Sequence, residues 1–101
     1  VIIASAHVNN MVMAGDAVRV SVNIDNTGDV NLENLRMRVI IPDLGIRAST
    51  SIFDLNAGED KHKSVNLPIP AQARQGLYLV RIIIENGSFH EVAHRYVTII
   101  R

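Results

Sequence analysis

Residues 16–26 decide the fold: Asp16-Ala17-Val18-Arg19-Val20-Ser21-Val22-Asn23-Ile24-Asp25-Asn26. Val18, Val20, Val22 and Ile24 occupy every second position, and Arg19, Ser21, Asn23 and Asp25 fill the places between. Successive side chains of a strand point to opposite faces, so this stretch predicts a strand with one apolar and one wetted face.

The same period extends in both directions. In Glu33–Pro42, Leu35, Met37, Val39 and Ile41 alternate with Arg36, Arg38 and Ile40, and Asn26-Thr27-Gly28-Asp29 supplies the turn between the two runs. Val65, Leu67 and Ile69 form a third run, preceded by Lys61-His62-Lys63 and interrupted by Pro68 and Pro70. Prolines cannot donate to a ladder, so an edge position is expected there. In Leu77–Glu85, Tyr78, Val80, Ile82 and Ile84 share one face and Leu79, Arg81, Ile83 and Glu85 the other, before the hairpin dipeptide Asn86-Gly87. The last run, Phe89–Ile100, is read with Val97 and Ile99 inward. Val1–Met13 and Ile46–Leu55 read as shorter strands. No stretch carries helical periodicity with caps. The expectation is an all-β chain, an immunoglobulin-like antiparallel β-sandwich of about seven strands over residues 1–101.

Composition narrows the function. The chain has 101 residues, 48% of them hydrophobic, with ten Lys+Arg against ten Asp+Glu. That balance gives no electrostatic reason to bind nucleic acid or an anionic bilayer. No apolar run approaches the roughly 18 residues of a spanning helix. The absence of cysteine removes disulfides, thiolate metal sites and cysteine nucleophiles together.

Gly15-Asp16 before the Val-x-Val-x-Val-x-Ile strand, then Asn26-Thr27-Gly28, Ile41-Pro42, Gly58-Glu59 and Gly76-x-Tyr78, resembles the CARDB-type sandwich repeats of bacterial and archaeal surface proteins. The resemblance spans almost the whole chain. It implies a module of a longer exported or cell-surface polypeptide, surface-layer proteins included, and a chain without Met at position 1 is expected to be such a module. Tyr78 lies where a tyrosine corner would sit, its hydroxyl returning to an upstream carbonyl. With no Trp and no Cys, aliphatic packing of Val20, Val22, Val39, Val80 and Ile82 is expected to join the sheets.

Candidate chemistry is sparse. His90 and His94 share a strand face but sit roughly 13 Å apart at strand rise, too far for one zinc ion. Asp25, Thr27, Asp29, Asn31 and Glu33 carry oxygens at alternate positions, yet the spacing lacks the glycine of a calcium loop, and turns attract such residues anyway. There is no nucleophile elbow, no paired carboxylates beyond the adjacent Glu59-Asp60, and no phosphate-binding glycine loop. An enzyme is not expected, nor a metal or other cofactor. Asn86-Gly87-Ser88 is a glycosylation sequon in a hairpin loop, which makes Asn86 a candidate glycan acceptor.

A contact surface is the more productive reading. The third and sixth strands of such a sandwich are neighbours, so Arg36, Arg38 and Ile40 should share an outer face with Leu79, Arg81, Ile83 and Glu85. Aliphatics interleaved with arginines are unusual on a face that meets only water. The expected role is a non-catalytic structural or adhesive module that contacts neighbouring modules, other surface proteins or its own copies. The alternative is a carbohydrate-binding accessory module beside an enzyme, disfavoured by an aromatic fraction of 4%.

Overall fold

The computed structural model describes residues 2–101. In chain order these form β1 (Ile2–Val8), β2 (Met11–Met13), β3 (Ala17–Asp25), β4 (Leu32–Ile41), a 3-10 turn (Pro42–Leu44), β5 (Ile46–Ser49), β6 (Phe53–Leu55), β7 (Asp60–Pro68), β8 (Gly76–Glu85) and β9 (His90–Ile100). The smaller sheet runs β1-β3-β7, and the larger runs β2-β9-β8-β4-β5 with β6 also paired to β4. Pairing is antiparallel except between β2 and β9, which run parallel.

Nine strands replace the expected seven because two stretches read as single strands each divide. The opening stretch breaks at Asn9-Asn10 and changes sheet. Asn9 Oδ1 accepts the Arg19 N–H at 2.7 Å on the smaller sheet, while the Asn10 carbonyl accepts the Thr98 N–H at 2.9 Å on the larger. The crossing therefore leaves these backbone groups paired. The second stretch breaks at Thr50-Ser51-Ile52, and both halves lie along β4. Thr50 bridges the gap: its N–H donates to the Met37 carbonyl at 2.9 Å and its Oγ1 accepts the Met37 N–H at 3.2 Å. Opposite β6 the register of β4 slips between Leu32 and Leu35, where Asn34 adopts a left-handed φ of 58°. Asparagine tolerates that region better than most residues, and a bulge re-aims the strand there.

The alternation predicts the core. Val18, Val20, Val22 and Ile24 of β3 meet Leu35, Met37, Val39 and Ile41 of β4 and Val80, Ile82 and Ile84 of β8, all with no exposed surface. Val97 and Ile99 face inward as read from the sequence. Cutting a fully buried isoleucine such as Ile82 to alanine costs about 2–5 kcal/mol in packing of this kind.

β7 does lie at a sheet edge but starts earlier than expected, at Asp60. Lys61 and Lys63 share the inward side of that strand with Val65 and Leu67, so both lysines are half-buried while His62 between them is exposed. Lys63 Nζ stands 4.4 Å from the centroid of the buried Phe53 ring, and Lys61 Nζ donates to the Asp54 carbonyl at 2.5 Å. Their stems cover the end of the core while the charges stay partnered.

Two polar residues brace the sandwich. The Tyr78 hydroxyl donates to the Arg74 carbonyl at 2.7 Å, the return contact of a tyrosine corner. Asn26, placed in a turn by its sequence, is instead 1% exposed and links three segments. Its Nδ2 donates to the carbonyls of Val30 at 2.9 Å and Leu55 at 3.0 Å, and its Oδ1 accepts the Gly28 N–H at 3.1 Å. Its backbone N–H donates to Glu59 O at 2.9 Å, and its carbonyl accepts the Gly58 N–H at 2.8 Å. Gly58 closes the Asn56–Glu59 turn at φ 78°, a conformation suited to glycine.

Candidate functional site

Strand pairing places every residue of the expected contact face together. Across β4 and β8, Arg36 lies opposite Glu85, Arg38 opposite Ile83, and Ile40 opposite Arg81, while Leu79 continues the row on β8 opposite Tyr96 of β9. Their neighbours in sequence are the buried core residues, so all seven side chains project from the outer side of the larger sheet. The first strand does not cover this side, because it belongs to the other sheet.

The face is wider than β4 and β8. On β9, His90, Val92, His94, Tyr96 and Thr98 continue it, and parallel pairing with Thr98 and Ile100 brings in Met11 and Met13 of β2. On β5, Arg47 lies opposite Ile40 and Ser49 opposite Arg38. Ile40, Leu79 and Ile83 are only half-exposed, shielded by long neighbours. Toward β2 the face carries a run of exposed apolar side chains, Leu77 at 66%, Met11 and Tyr96 at 59%, and Met13 at 52%. Sequence reasoning missed these because the sheet change at Asn9-Asn10 and the parallel pairing of β2 carry no local periodic signal.

The face is thus graded from apolar at β2 to basic at β5. At the basic end stand Arg36, Arg38, Arg47 and the nearby Arg81, and of these only Arg38 makes an ion pair among the described residues, with Glu85. Its Oε1 meets Arg38 Nη2 at 3.2 Å and its Oε2 meets His90 Nδ1 at 3.1 Å. Arg36, directly across the ladder from Glu85, makes no ion pair among the described residues, and its Nε is buried without an acceptor. Two depressions of about 330 and 350 Å³ meet at Arg36 and Arg38; Asn34, Ile52, Glu85 and Asn86 line the first, and Arg47, Ala48 and Ser49 the second.

The remaining candidates are dispersed. His90 lies against Glu85 and His94 opposite Arg81, and among the described residues no group of three or more His, Asp or Glu side chains is placed to hold a metal ion. In the Asp25–Glu33 segment, Asn31 Oδ1 is occupied by the Ala57 N–H at 2.8 Å. The Asn86 amide is engaged on both sides: Oδ1 accepts the N–H groups of Ser88 and Phe89 at 2.8 and 2.7 Å, and Nδ2 donates to Glu33 O at 2.9 Å. These bonds account for Asn86 as a hairpin residue.

Residues 12–86 match the model of the family described as NPCBM-associated, NEW3 domain of alpha-galactosidase. The chain belongs to this NEW3 domain family. No curated protein matches it. Among solved structures, the NEW3 chain superposes on the CARDB domain of a Pyrococcus furiosus protein in complex with di-metal ions, with a TM-score of 0.73 at 17% identity over 94% of this chain and 84% of that one. It also superposes on part of a Pseudomonas fluorescens alkylpurine DNA glycosylase bound to DNA containing an abasic site analog, at TM-score 0.64 and 15% identity, over 97% of this chain and 32% of that one. A family 123 glycoside hydrolase from Clostridium perfringens matches at TM-score 0.57 and 11% identity, over 89% of this chain and 22% of the enzyme. At these identities the likeness is one of fold, and it places the NEW3 chain among CARDB-like sandwiches.

Proposed function

We propose that this NEW3 domain is a non-catalytic accessory module of an exported or cell-surface polypeptide, and that it packs against a neighbouring module through the outer face of its larger sheet. The observation that carries this reading is the graded face itself: Leu77, Tyr96, Met11 and Met13 stand exposed at one end, and arginines stand at the other. Interfaces are enriched in aromatics, methionine and arginine, and an apolar stretch continued by guanidinium groups fits a partner surface better than it fits water. Accessory status is supported by the family description and by the matches to parts of much longer chains, an enzyme of glycan hydrolysis among them. The cell-surface location rests on the CARDB resemblance. A carbohydrate-binding role has thinner support, since Tyr96 is the one strongly exposed ring among the described residues and a stacking platform needs more.

The test is the double variant Ile40→Lys with Ile83→Glu, which changes outward positions only. Its melting transition should persist while self-association, or binding to the adjoining module of the parent polypeptide, is lost in sedimentation velocity. A folded variant that associates as before would refute the proposal.

A further inference from the structure

We infer that the basic trough at the β4–β5 end of this face is a carboxylate-binding site that seats an extended, acidic segment of polypeptide. The inference deepens the proposed function and rests on its reading of this face as a contact surface.

Charge is the first argument. The whole chain is formally neutral, yet Arg36, Arg38, Arg47 and Arg81 gather here with Glu85 as their one ion-paired carboxylate among the described residues. Arg36 is the sharpest observation, because its Nε is withdrawn from water and has no acceptor. A buried donor left unpaired is costly; Arg36 lines both depressions, so a carboxylate entering the trough would meet its guanidinium, and a small rotation of the side chain would bring Nε to it. The planar guanidinium fork matches carboxylate geometry, so arginines rather than lysines at these positions fit that ligand.

Geometry selects the polypeptide. Arg36 and Arg38 project from alternate positions of β4, so their repeat is that of alternate side chains on any extended chain laid alongside. Beside the arginines the surface offers an aliphatic side chain, Ile52 at 54% exposure, so a segment alternating acidic with aliphatic residues meets both chemistries. β5 ends the larger sheet, and among the described residues no strand is hydrogen-bonded to its far side. No aromatic ring lines either depression, so a sugar acid would have nothing on which to stack its ring.

The experiment titrates the labelled chain at low ionic strength with a capped peptide of alternating glutamate and valine, about eight residues long to match a strand, and follows the arginine Nε–H signals by NMR. Saturable shifts should appear at Arg36, Arg38 and Arg47. Arg36→Gln and Arg47→Gln should each weaken binding about tenfold, as loss of a charge-assisted bond does. Glu85→Gln should tighten it severalfold, because Arg38 is freed from its internal partner; structural damage would not produce that gain. Absence of saturable shifts, unchanged affinity in both folded arginine variants, weaker binding by Glu85→Gln, or tighter binding of an oligouronate than of the peptide would each overturn the inference. Lost peptide binding with intact module association in sedimentation would defeat this inference alone. The reverse pattern would defeat the contact-face reading.

Discussion

Replacing Asn26 by alanine should destabilise the sandwich more than any other single polar substitution in its loops. The side chain makes three hydrogen bonds, to Val30 O, Leu55 O and the Gly28 N–H, and the one to Leu55 is fully buried. The alanine methyl replaces none of them. Losing the two part-buried bonds costs about 0.5–1.5 kcal/mol each, and stranding the buried Leu55 carbonyl about 1–3 kcal/mol, so a total of about 2–6 kcal/mol is expected. For a domain of this size each kcal/mol is worth about 4–8 °C, and the loss is a large part of a typical stability of about 5–15 kcal/mol. Urea unfolding followed by far-ultraviolet circular dichroism suits a chain without tryptophan. Asn26→Asp adds a signed test, because it sets a carboxylate oxygen where Nδ2 faces two carbonyls. Burial and those dipoles disfavour the charged form, so the aspartate's folded-state pKa lies above its unfolded value. Stability is then greatest below the unfolded pKa, where the protonated group can donate, and falls as pH rises through the folded pKa. An Asn26→Ala midpoint shift equivalent to less than about 1 kcal/mol at unchanged slope would refute the assignment of Asn26 as a structural hub.

Two further outcomes check the bracing of the sandwich. Tyr78→Phe should cost about 1 kcal/mol through loss of the bond to Arg74 O, whose surroundings admit water; an unchanged urea midpoint would show that the corner contributes nothing. Glu91 Oε2 accepts the Ile3 N–H at 2.6 Å and Arg95 Nε donates to Ala6 O at 3.5 Å, so these inward-side residues of β9 seal the open edge of β1. Glu91→Gln should speed amide exchange in β1 while leaving β8 protected, and uniform exchange changes across both strands would contradict a local seal.

The β3, β4 and β8 strands and their inward residues were legible because side-chain direction alternates with a period of two, and a half-buried strand writes that period into its composition. The adjacency of β4 and β8 followed from the sandwich topology, and with it the placement of Arg36, Arg38 and Ile40 beside Leu79, Arg81, Ile83 and Glu85. Local turn chemistry marked the Asn86-Gly87 hairpin in the same way.

What the linear pattern does not encode is which distant segments share a sheet. The division of residues 2–13 between sheets, the parallel seating of β2 on β9 and the extension of the outer face to Met11, Met13 and Tyr96 arise from long-range pairing. Asn26 reads as a turn residue because its local chemistry is that of a turn; its burial depends on Leu55, Gly58 and Glu59, some thirty positions away. Arg36 likewise alternates as any wetted residue would. Only the tertiary arrangement, which diverts Glu85 to Arg38 and His90, leaves its guanidinium unpaired at the trough. Strand periodicity is a local steric property and therefore visible in one segment, whereas hydrogen-bond partnership and charge balance are settled by contacts between segments that only the fold brings together.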